Sequence, residues 1–267
     1  MRMTTPTQIG SVPSQSAVGN FSWARGPLAR CARATFLKVI LAPLMEYYGH
    51  LKVTGLENLK GIRPPFLLAA NHASHLDTPA ILLALPSRLR GRTLVAAAAD
   101  YFFESPWKGA LVSLALGAIA VERRRAPRET IRAMRDLLID GWSLVVYPEG
   151  GRSLDGRLRG GKRGIAHLAA AAGVPVIPVG VLGTFAAMPT GRLWPRHGQL
   201  EVHFGSPLLP DRLDALHAGG ARFRDVTDGI MASIQTLTGQ EISPDGGEIS
   251  SPVPPLRVTA RPAWHWY

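Results

Sequence analysis

Short apolar runs alternate with segments of helical pattern through most of the chain, and this alternation limits the folds that the chain can adopt. The runs with strand character cover residues 51–54, 65–70, 93–99, 118–121, 143–147, 174–181 and 199–204. Helical patterns lie between or after them, at residues 79–85, 107–116, 127–140, 164–172 and 221–237. Strands that alternate with helices form a sheet that is at least partly parallel, with helices on its faces. The sequence therefore predicts an α/β fold with a mixed, largely parallel sheet.

One polar stretch, Asn-His-Ala-Ser-His-Leu-Asp at residues 71–77, connects the second predicted strand to the next helix. Open α/β sheets usually bind their ligands at such connections. An imidazole is the commonest general base near neutral pH, and a carboxylate on its far ring nitrogen fixes its tautomer, so His72 and Asp77 are candidates for a catalytic pair. Five residues span roughly 140° on an ideal helix, so the pair can meet only in a turn that runs into a helix start. Thr78 followed by Pro79 predicts the N-cap of that helix.

The alternative interpretation of this stretch needs no chemistry. In that case it is a polar loop in which Asp77 caps a helix while His72 binds backbone groups.

A second polar turn, Tyr-Pro-Glu-Gly-Gly-Arg-Ser at residues 147–153, directly follows a predicted buried strand. Its paired glycines, Gly150 and Gly151, let backbone amides approach a ligand closely, and Arg152 supplies a planar donor fork that suits phosphate. Glu149 could orient that fork or bind a substrate hydroxyl. The alternative is a tight turn with a surface ion pair.

Two further basic positions follow the same logic. Arg123 lies close to the end of the predicted strand 118–121, where its side chain could point into a site, although three adjacent arginines are most often a solvated charge run. Lys162 lies in a glycine-rich segment before an uncharged helix, where the helix dipole favours an anion. A plain surface loop has the same composition.

The overall charge points to an anionic partner. The 267 residues carry a formal net charge of +11, which suits a phosphate-bearing substrate, an anionic membrane or a nucleic acid. Aromatic residues make up only 7% and do not interleave with the basic runs, which argues against nucleic acid.

The sequence also lacks the motifs of some other function classes. There is no Walker A loop, no G-x-G-x-x-G and no G-x-S-x-G elbow, so nucleotide binding and serine hydrolysis fit poorly. The single cysteine, Cys31, excludes an internal disulfide and favours a reducing compartment.

The two ends of the chain differ from its centre. Residues 1–22 are rich in Ser, Thr, Gln and Pro, and residues 239–267 are rich in Pro, Gly and Ser, so both are predicted to be disordered. Between them, residues 23–50 form a helical segment with a break near Pro43, and residues 51–238 form the α/β domain. The helical segment mixes apolar and basic residues without a clean stripe, so it either lies on a membrane surface or covers the core.

Four blocks of the sequence, in order, resemble the glycerolipid acyltransferases typified by 1-acylglycerol-3-phosphate acyltransferase. Residues 71–77 match the N-H-x-x-x-x-D block of that family, and residues 117–123, Gly-Ala-Ile-Ala-Val-Glu-Arg, are similar to its second block. Residues 147–153 are similar to the F-P-E-G-T-R-S block, and residues 174–179 to the fourth block. Here Tyr147 replaces the usual phenylalanine. Gly151 replaces the usual threonine, which removes a hydroxyl near the acceptor and leaves the identity of the acceptor open.

The resemblance implies roles for the candidate residues. His72 and Asp77 would be the catalytic pair, and a larger set would bind the acceptor: Arg123, Glu149, Gly150, Gly151, Arg152 and Lys162. The implied activity moves an acyl group from acyl-CoA or acyl-carrier protein to a hydroxyl of 1-acylglycerol-3-phosphate, giving phosphatidic acid. No metal or other cofactor is implied.

Alternatives to that activity concern the acceptor and the enzyme itself. The acceptor could instead be glycerol-3-phosphate or another lysolipid, or the chain could be a non-enzymatic basic protein that binds membranes. The expected location is the cytoplasmic face of a cell membrane, as a peripheral protein on an anionic surface, with no nucleic-acid partner.

Overall fold

The structure is a computed structural model that describes residues 22–98, 105–121, 127–210 and 223–243. Within these ranges one seven-stranded sheet organises the chain, in the order β1-β7-β6-β2-β5-β3-β4. The strands are β1 Leu51–Thr54, β2 Leu67–Ala70, β3 Thr93–Ala98, β4 Ala118–Val121, β5 Ser143–Val146, β6 Val176–Leu182 and β7 Leu200–Phe204. All neighbouring pairs are parallel except β6 and β7. The predicted mixed, largely parallel sheet is confirmed.

The longer helices lie where the sequence pattern predicts them, with small shifts at their ends, whereas two short helices, Ser87–Arg90 and Thr184–Ala187, were not predicted. They are α1 Pro27–Phe36, α2 Ala42–Gly49, α3 Asp77–Ala84, α4 Ser87–Arg90, α5 Pro106–Leu116, α6 Pro127–Ile139, α7 Gly164–Ala172, α8 Thr184–Ala187 and α9 Phe223–Thr238. The predicted N-cap at Thr78 is wrong, because α3 already begins at Asp77. Pro79 does fall in the first turn of α3, where its missing N–H costs no hydrogen bond.

Helices cover both faces of the sheet, and the alternation of side chains along each strand divides the core in two. On β2, Leu68 and Ala70 join a cluster with residues of α3, α4 and the N-terminal helices. Leu67 and Ala69 face the opposite way and pack with residues of α6, α7 and α9. All four residues of β2 are buried, as expected for a strand covered on both faces.

Strand order brings the two polar loops together. Strands β2 and β5 are parallel neighbours, with Leu67 opposite Leu144 and Ala69 opposite Val146. Their carboxyl ends therefore lie side by side at one edge of the sheet, and the loops that leave them, residues 71–77 and 147–153, start next to each other.

The N-terminal helical segment both covers the core and presents an apolar surface. Leu37 and Met45 are buried in the core cluster, whereas the large side chains on the outer face of the segment are exposed: Leu28, Val39, Ile40, Leu44 and Tyr47. A π-helical turn at Leu37–Leu41 joins α1 to α2, and it lies just before Pro43, whose missing N–H interrupts the regular helix ladder. The predicted break near Pro43 thus takes the form of a π turn.

Arg33 fastens this segment to the rest of the fold. Its guanidinium is buried and donates three hydrogen bonds to backbone carbonyls, from Nε to Leu114 O at 3.0 Å and from Nη2 to Ser113 O at 2.8 Å and Ala24 O at 2.7 Å. Two of these carbonyls belong to the last turn of α5, where the helix dipole favours a cation. Burial, with a contribution from Arg30, lowers the pKa of Arg33 to about 10.

Gly117 ends α5 in the left-handed region, with φ +69°. A Cβ at this position would lie 3.0 Å from the Arg33 guanidinium carbon. Glycine therefore both relieves the backbone strain of the cap and makes room for Arg33.

Two expectations from the sequence concern the membrane and the ends of the chain. None of the helices in the described ranges is long and apolar enough to span a bilayer. Residues just past the predicted domain end are still paired, with Ile242 bridged to Leu158 and Ser243 N donating to Leu158 O at 2.8 Å. The rest of the predicted disordered ends, before residue 22 and after residue 243, lies outside the described residues.

Replacing Arg33 by Ala should lower the free energy of unfolding by about 1.5–3 kcal/mol, because three carbonyls lose a charged donor in a buried place. Urea unfolding measures this value. Lys38→Ala is the matched control, since Lys38 is an exposed cation in the same helical segment and should change stability by less than about 0.5 kcal/mol. Equal stability of the two variants would contradict the role of Arg33.

Candidate active site

The loop after β2 is held in place by the side chain of its first residue. Asn71 Nδ2 donates to Val181 O at 2.8 Å, and Val181 N donates to Asn71 Oδ1 at 2.7 Å. The amide thus imitates a backbone peptide and extends the pairing of β2 with β6 by one residue. This fixes the direction in which the loop leaves the sheet.

Asp77 closes the loop through one carboxylate oxygen. Its Oδ2 accepts hydrogen bonds from His72 Nδ1, Ala73 N and Ser74 N, each at 2.8 Å. Asp77 is fully buried, and its other oxygen, Oδ1, has no hydrogen-bond partner among the described residues. The turn at the start of α3 therefore brings together two side chains that a straight helix would keep apart.

The hydrogen bond to Asp77 determines what His72 can do. An ionised carboxylate only accepts, so Nδ1 carries the proton and Nε2 keeps its lone pair. The side chain of His72 is 13% exposed, and Nε2 has no hydrogen-bond partner in the part of the chain that the structure describes. His72 is thus an oriented base with its reactive nitrogen available.

Tyr147 holds the imidazole from one side. The two rings stack with centroids 3.9 Å apart and an angle of 16° between their planes. The Tyr147 hydroxyl and Thr78 Oγ1 are hydrogen-bonded at 2.6 Å, and burial raises the pKa of Tyr147, so the phenol stays neutral. A phenylalanine would stack similarly but would lack the bond to Thr78.

Glu149 joins the two loops from behind the site. Its Oε1 accepts from His72 N at 2.7 Å, and its Oε2 accepts from Arg159 N at 3.2 Å. The residue is only 2% exposed, and burial raises its pKa to about 7 although both amides act against this shift. In this structure, then, the Glu149 carboxylate positions the backbone of His72.

A cavity of about 490 Å³ opens at the carboxyl edge of the sheet. Its polar part is formed by His72, His75, Thr78, Tyr147 and Arg152. Most of the other lining residues are apolar and come from β3, from the start of β4 and from α5: Val95, Ala96, Ala97, Ala98, Val112, Leu116 and Ala118. The arrangement suits a ligand with one polar, anionic end and one apolar end.

His75 also lines this cavity, and sequence reasoning gave it no role. Burial first, and then the charges of Arg152 and His72, lower the pKa of His75 to about 4. The imidazole is therefore neutral at physiological pH and can donate or accept a hydrogen bond. The presence of a second histidine in residues 71–77 is the sequence feature that could have indicated this residue.

Of the remaining residues that the sequence predicts for the site, only some line the cavity. Arg152 lines it. Gly150 has φ +73°, and a Cβ there would lie 2.7 Å from Nζ of Lys162, so Lys162 packs over this glycine rather than on the cavity wall. Gly151, the next residue of the same turn, is half-buried. Arg123 falls outside the described residues.

Metal ions in proteins are bound by sets of ligand side chains, and the described ranges contain no such set. No group of three or more His, Cys, Asp or Glu side chains is placed there to hold a metal ion.

Comparisons with known proteins find similar sequences over the part of the chain that carries this site. Residues 50–182 match the model of a protein family described as Acyltransferase. The chloroplastic 1-acyl-sn-glycerol-3-phosphate acyltransferase BAT2 of Brassica napus is 32% identical over 167 residues, which cover 61% of this chain and 46% of the relative. The chloroplastic enzyme LPAT1 of Arabidopsis thaliana, with the same activity in its name, is 31% identical over 185 residues, or 68% of this chain and 50% of the relative. The chain thus spans about half the length of these curated relatives.

A solved structure shares the fold. The crystal structure of the 1-acyl-sn-glycerophosphate acyltransferase PlsC from Thermotoga maritima superposes with a TM-score of 0.56 at 24% identity, covering 79% of this chain and 81% of that one.

Glu149→Gln should change how stability depends on pH. The pKa of Glu149 is about 7 in the folded chain and ordinarily 4.5, so between these values the folded state binds the extra proton and ionisation costs free energy as the pH rises. Relative to Glu149→Gln, the wild type should lose unfolding free energy from about pH 5 to pH 7, by at most about 1.4 kcal/mol per pH unit. Urea unfolding of both proteins across this range measures the difference. A difference that stays constant with pH would contradict the buried, ionisable carboxyl.

Proposed function

Because this chain belongs to the acyltransferase family, we propose that it transfers a fatty acyl group from a thioester to a hydroxyl of 1-acylglycerol-3-phosphate, producing phosphatidic acid. The donor would be acyl-CoA or acyl-carrier protein. The observation that carries the proposal is the His72–Asp77 pair at the polar part of a cavity that also contains Arg152 and an apolar wall. A base, an anion-binding group and space for an acyl chain are the three things that this reaction needs.

The base in this mechanism is His72. Its Nε2 takes the proton from the acceptor hydroxyl while that oxygen attacks the thioester carbonyl. Asp77 keeps Nδ1 protonated and stabilises the imidazolium that forms. When the tetrahedral intermediate collapses, the C–O bond of the new ester remains, the C–S bond breaks, and the imidazolium returns its proton to the leaving thiolate. No covalent intermediate with the protein is required.

Arg152 would bind the acceptor phosphate. It lines the same cavity as His72, and its planar fork can donate two parallel hydrogen bonds to phosphate oxygens. Phosphate held there positions the acceptor hydroxyl near the base, which is how binding energy is converted into rate. Phosphate binding by Arg123 and Lys162, and a place for the acceptor beside Gly150 and Gly151, remain predictions.

The apolar wall would receive the acyl chain. Alanines line the end of β3 and the start of β4, at Ala96, Ala97, Ala98 and Ala118, and these small side chains leave room beside the sheet. Val112 and Leu116 of α5 also line the cavity. Burying methylene groups against such a surface stabilises a bound chain by about 0.8 kcal/mol for each group.

We also propose that the exposed apolar face of residues 27–49, which comprise α1, the π turn and α2, contacts an anionic membrane at the cytoplasmic side, where the lipid substrate would reside. Val39 and Ile40 are more than half exposed on this face, and the chain carries a net charge of +11. Vesicle binding that favours anionic lipid and weakens with salt is expected. Equal binding to neutral and anionic vesicles at low and high salt would contradict the electrostatic part.

His72→Ala should lower kcat/KM for acyl transfer by about 10²–10⁴-fold, because it removes the general base. Asp77→Asn should also lose activity, since an amide at this position no longer fixes the tautomer of His72. Thiol release from acyl-CoA measures both. His50→Ala, at an exposed histidine, is the control and should keep full activity. A His72→Ala enzyme within a few-fold of the wild type would reject the mechanism.

Arg152→Ala should raise the KM for the acceptor by about ten- to a hundred-fold, because a charge-assisted bond to phosphate is lost, and should leave the KM for the donor nearly unchanged. Arg152→Lys should restore binding only in part, since lysine keeps the charge but not the fork. Initial rates at varied acceptor concentration measure the effect. Arg157, an exposed arginine of the same segment, provides the control, and an Arg152→Ala enzyme that behaves like Arg157→Ala would reject phosphate binding at this position.

A further inference from the structure

A loop between α8 and β7, residues 188–198, presents two large apolar side chains to solvent. Leu193 is 86% exposed and Trp194 is 71% exposed. Arg192 and Arg196 lie on either side of them, and the sequence contains no acidic residue from Thr184 to Leu200. An apolar tip between two cations is unusual on a surface that faces only water.

Hydrogen bonds hold this loop in place near both of its ends. Arg196 N donates to Ala187 O at 2.8 Å, and Gly198 N donates to Tyr48 O at 2.9 Å. Within the loop, Arg192 Nε donates to Trp194 O at 2.9 Å. These hydrogen bonds therefore fix the loop in a conformation in which Leu193 and Trp194 are exposed.

The same loop borders the active-site cavity. Ser74 of the catalytic loop donates its hydroxyl proton to Met188 O at 2.7 Å, and Thr190 lines the cavity. Leu154, a third highly exposed apolar side chain, lines the cavity as well. The apolar tip thus lies a few residues along the chain from the place where substrate would enter.

The loop also continues the exposed face of the N-terminal helices. The His197 ring lies 4.9 Å from the ring of Tyr47 and 5.2 Å from the ring of Tyr48. Tyr47 is exposed on α2, on the face that includes Leu44. The two surfaces therefore meet at His197.

We propose that the 188–198 loop is a second membrane contact, in which Leu193 and Trp194 enter the interface of an anionic bilayer while Arg192 and Arg196 bind lipid phosphates. Tryptophan prefers the level of the lipid headgroups, and basic residues near an anionic surface are attracted to it. The contact would place the cavity mouth against the lipid from which the acceptor comes. This last point rests on the proposed function, whereas the binding itself does not.

A lipid surface fits this loop better than a protein partner does. The loop carries two arginines and no acidic residue between Thr184 and Leu200, so its charge is of one sign only. The two flanking arginines suit a surface with many phosphates.

Vesicle sedimentation without substrate tests the proposal. Replacing Leu193 and Trp194 together by Ser should weaken binding by about ten-fold or more to vesicles of phosphatidylcholine with phosphatidylglycerol. Replacing Arg192 and Arg196 by Gln should weaken binding to the same vesicles by about five-fold for each arginine, with little effect on pure phosphatidylcholine. Circular dichroism and thermal unfolding of each variant check that the fold is retained.

The matched control is Ile139→Ser. Ile139 is an apolar residue at the end of α6 and is 68% exposed. Helix α6 packs on the face of the sheet opposite to that covered by α2, so replacement of Ile139 should leave vesicle binding unchanged. If the Leu193/Trp194 variant binds like Ile139→Ser, the loop is not a lipid contact. That result would leave the proposed acyl transfer intact, since activity is measured separately; absence of activity in the wild type would instead reject the proposed function alone.

Discussion

A single buried carboxylate oxygen, Oδ2 of Asp77, organises the site on which the proposed chemistry depends. It gathers two backbone amides and the imidazole of His72 into one turn. The same three bonds shape the loop, start α3 and fix the tautomer of the base. Because a buried carboxylate needs its donors, any conformation that moved His72 away would remove one of the three hydrogen bonds that Asp77 accepts in the core. Local folding and catalytic geometry therefore share one cause.

The sheet supplies the second half of the site. Parallel pairing of β2 with β5 sets the turn at residues 147–153 beside the loop at residues 71–77, and Glu149 then ties the two together through the backbone of His72. The pairing also places Tyr147 where its ring can stack on the imidazole. Arg152, further along the same turn, reaches the cavity. The guanidinium of Arg152 and the imidazole of His72 thus come from loops that follow neighbouring strands, although these strands are far apart in sequence.

Much of this could be predicted from the sequence, because apolar runs and short polar motifs are local signals. The strands, the helices and the polar stretch that joins His72 to Asp77 are of this kind. The role of Glu149 could not be predicted, since its partners are backbone amides that the sequence does not mark. In the sequence, Arg33 is one of several basic residues of a helical segment, yet two of the carbonyls that it binds lie about 80 residues away. Strand β7 lies between β1 and β6, parallel to β1 and antiparallel to β6, and this placement likewise depends on long-range packing rather than on any local pattern.

The central claim is that this site joins an acyl thioester to a phosphorylated acceptor, and one assay addresses it directly. Purified protein is mixed with acyl-CoA, and thiol release is followed with and without 1-acylglycerol-3-phosphate while the lipid product is quantified. We expect release that depends on the acceptor, with one phosphatidic acid formed for each thiol. Release that is equally fast without acceptor would indicate a thioesterase, and no release with any acyl thioester, including acyl-carrier protein, would contradict the account.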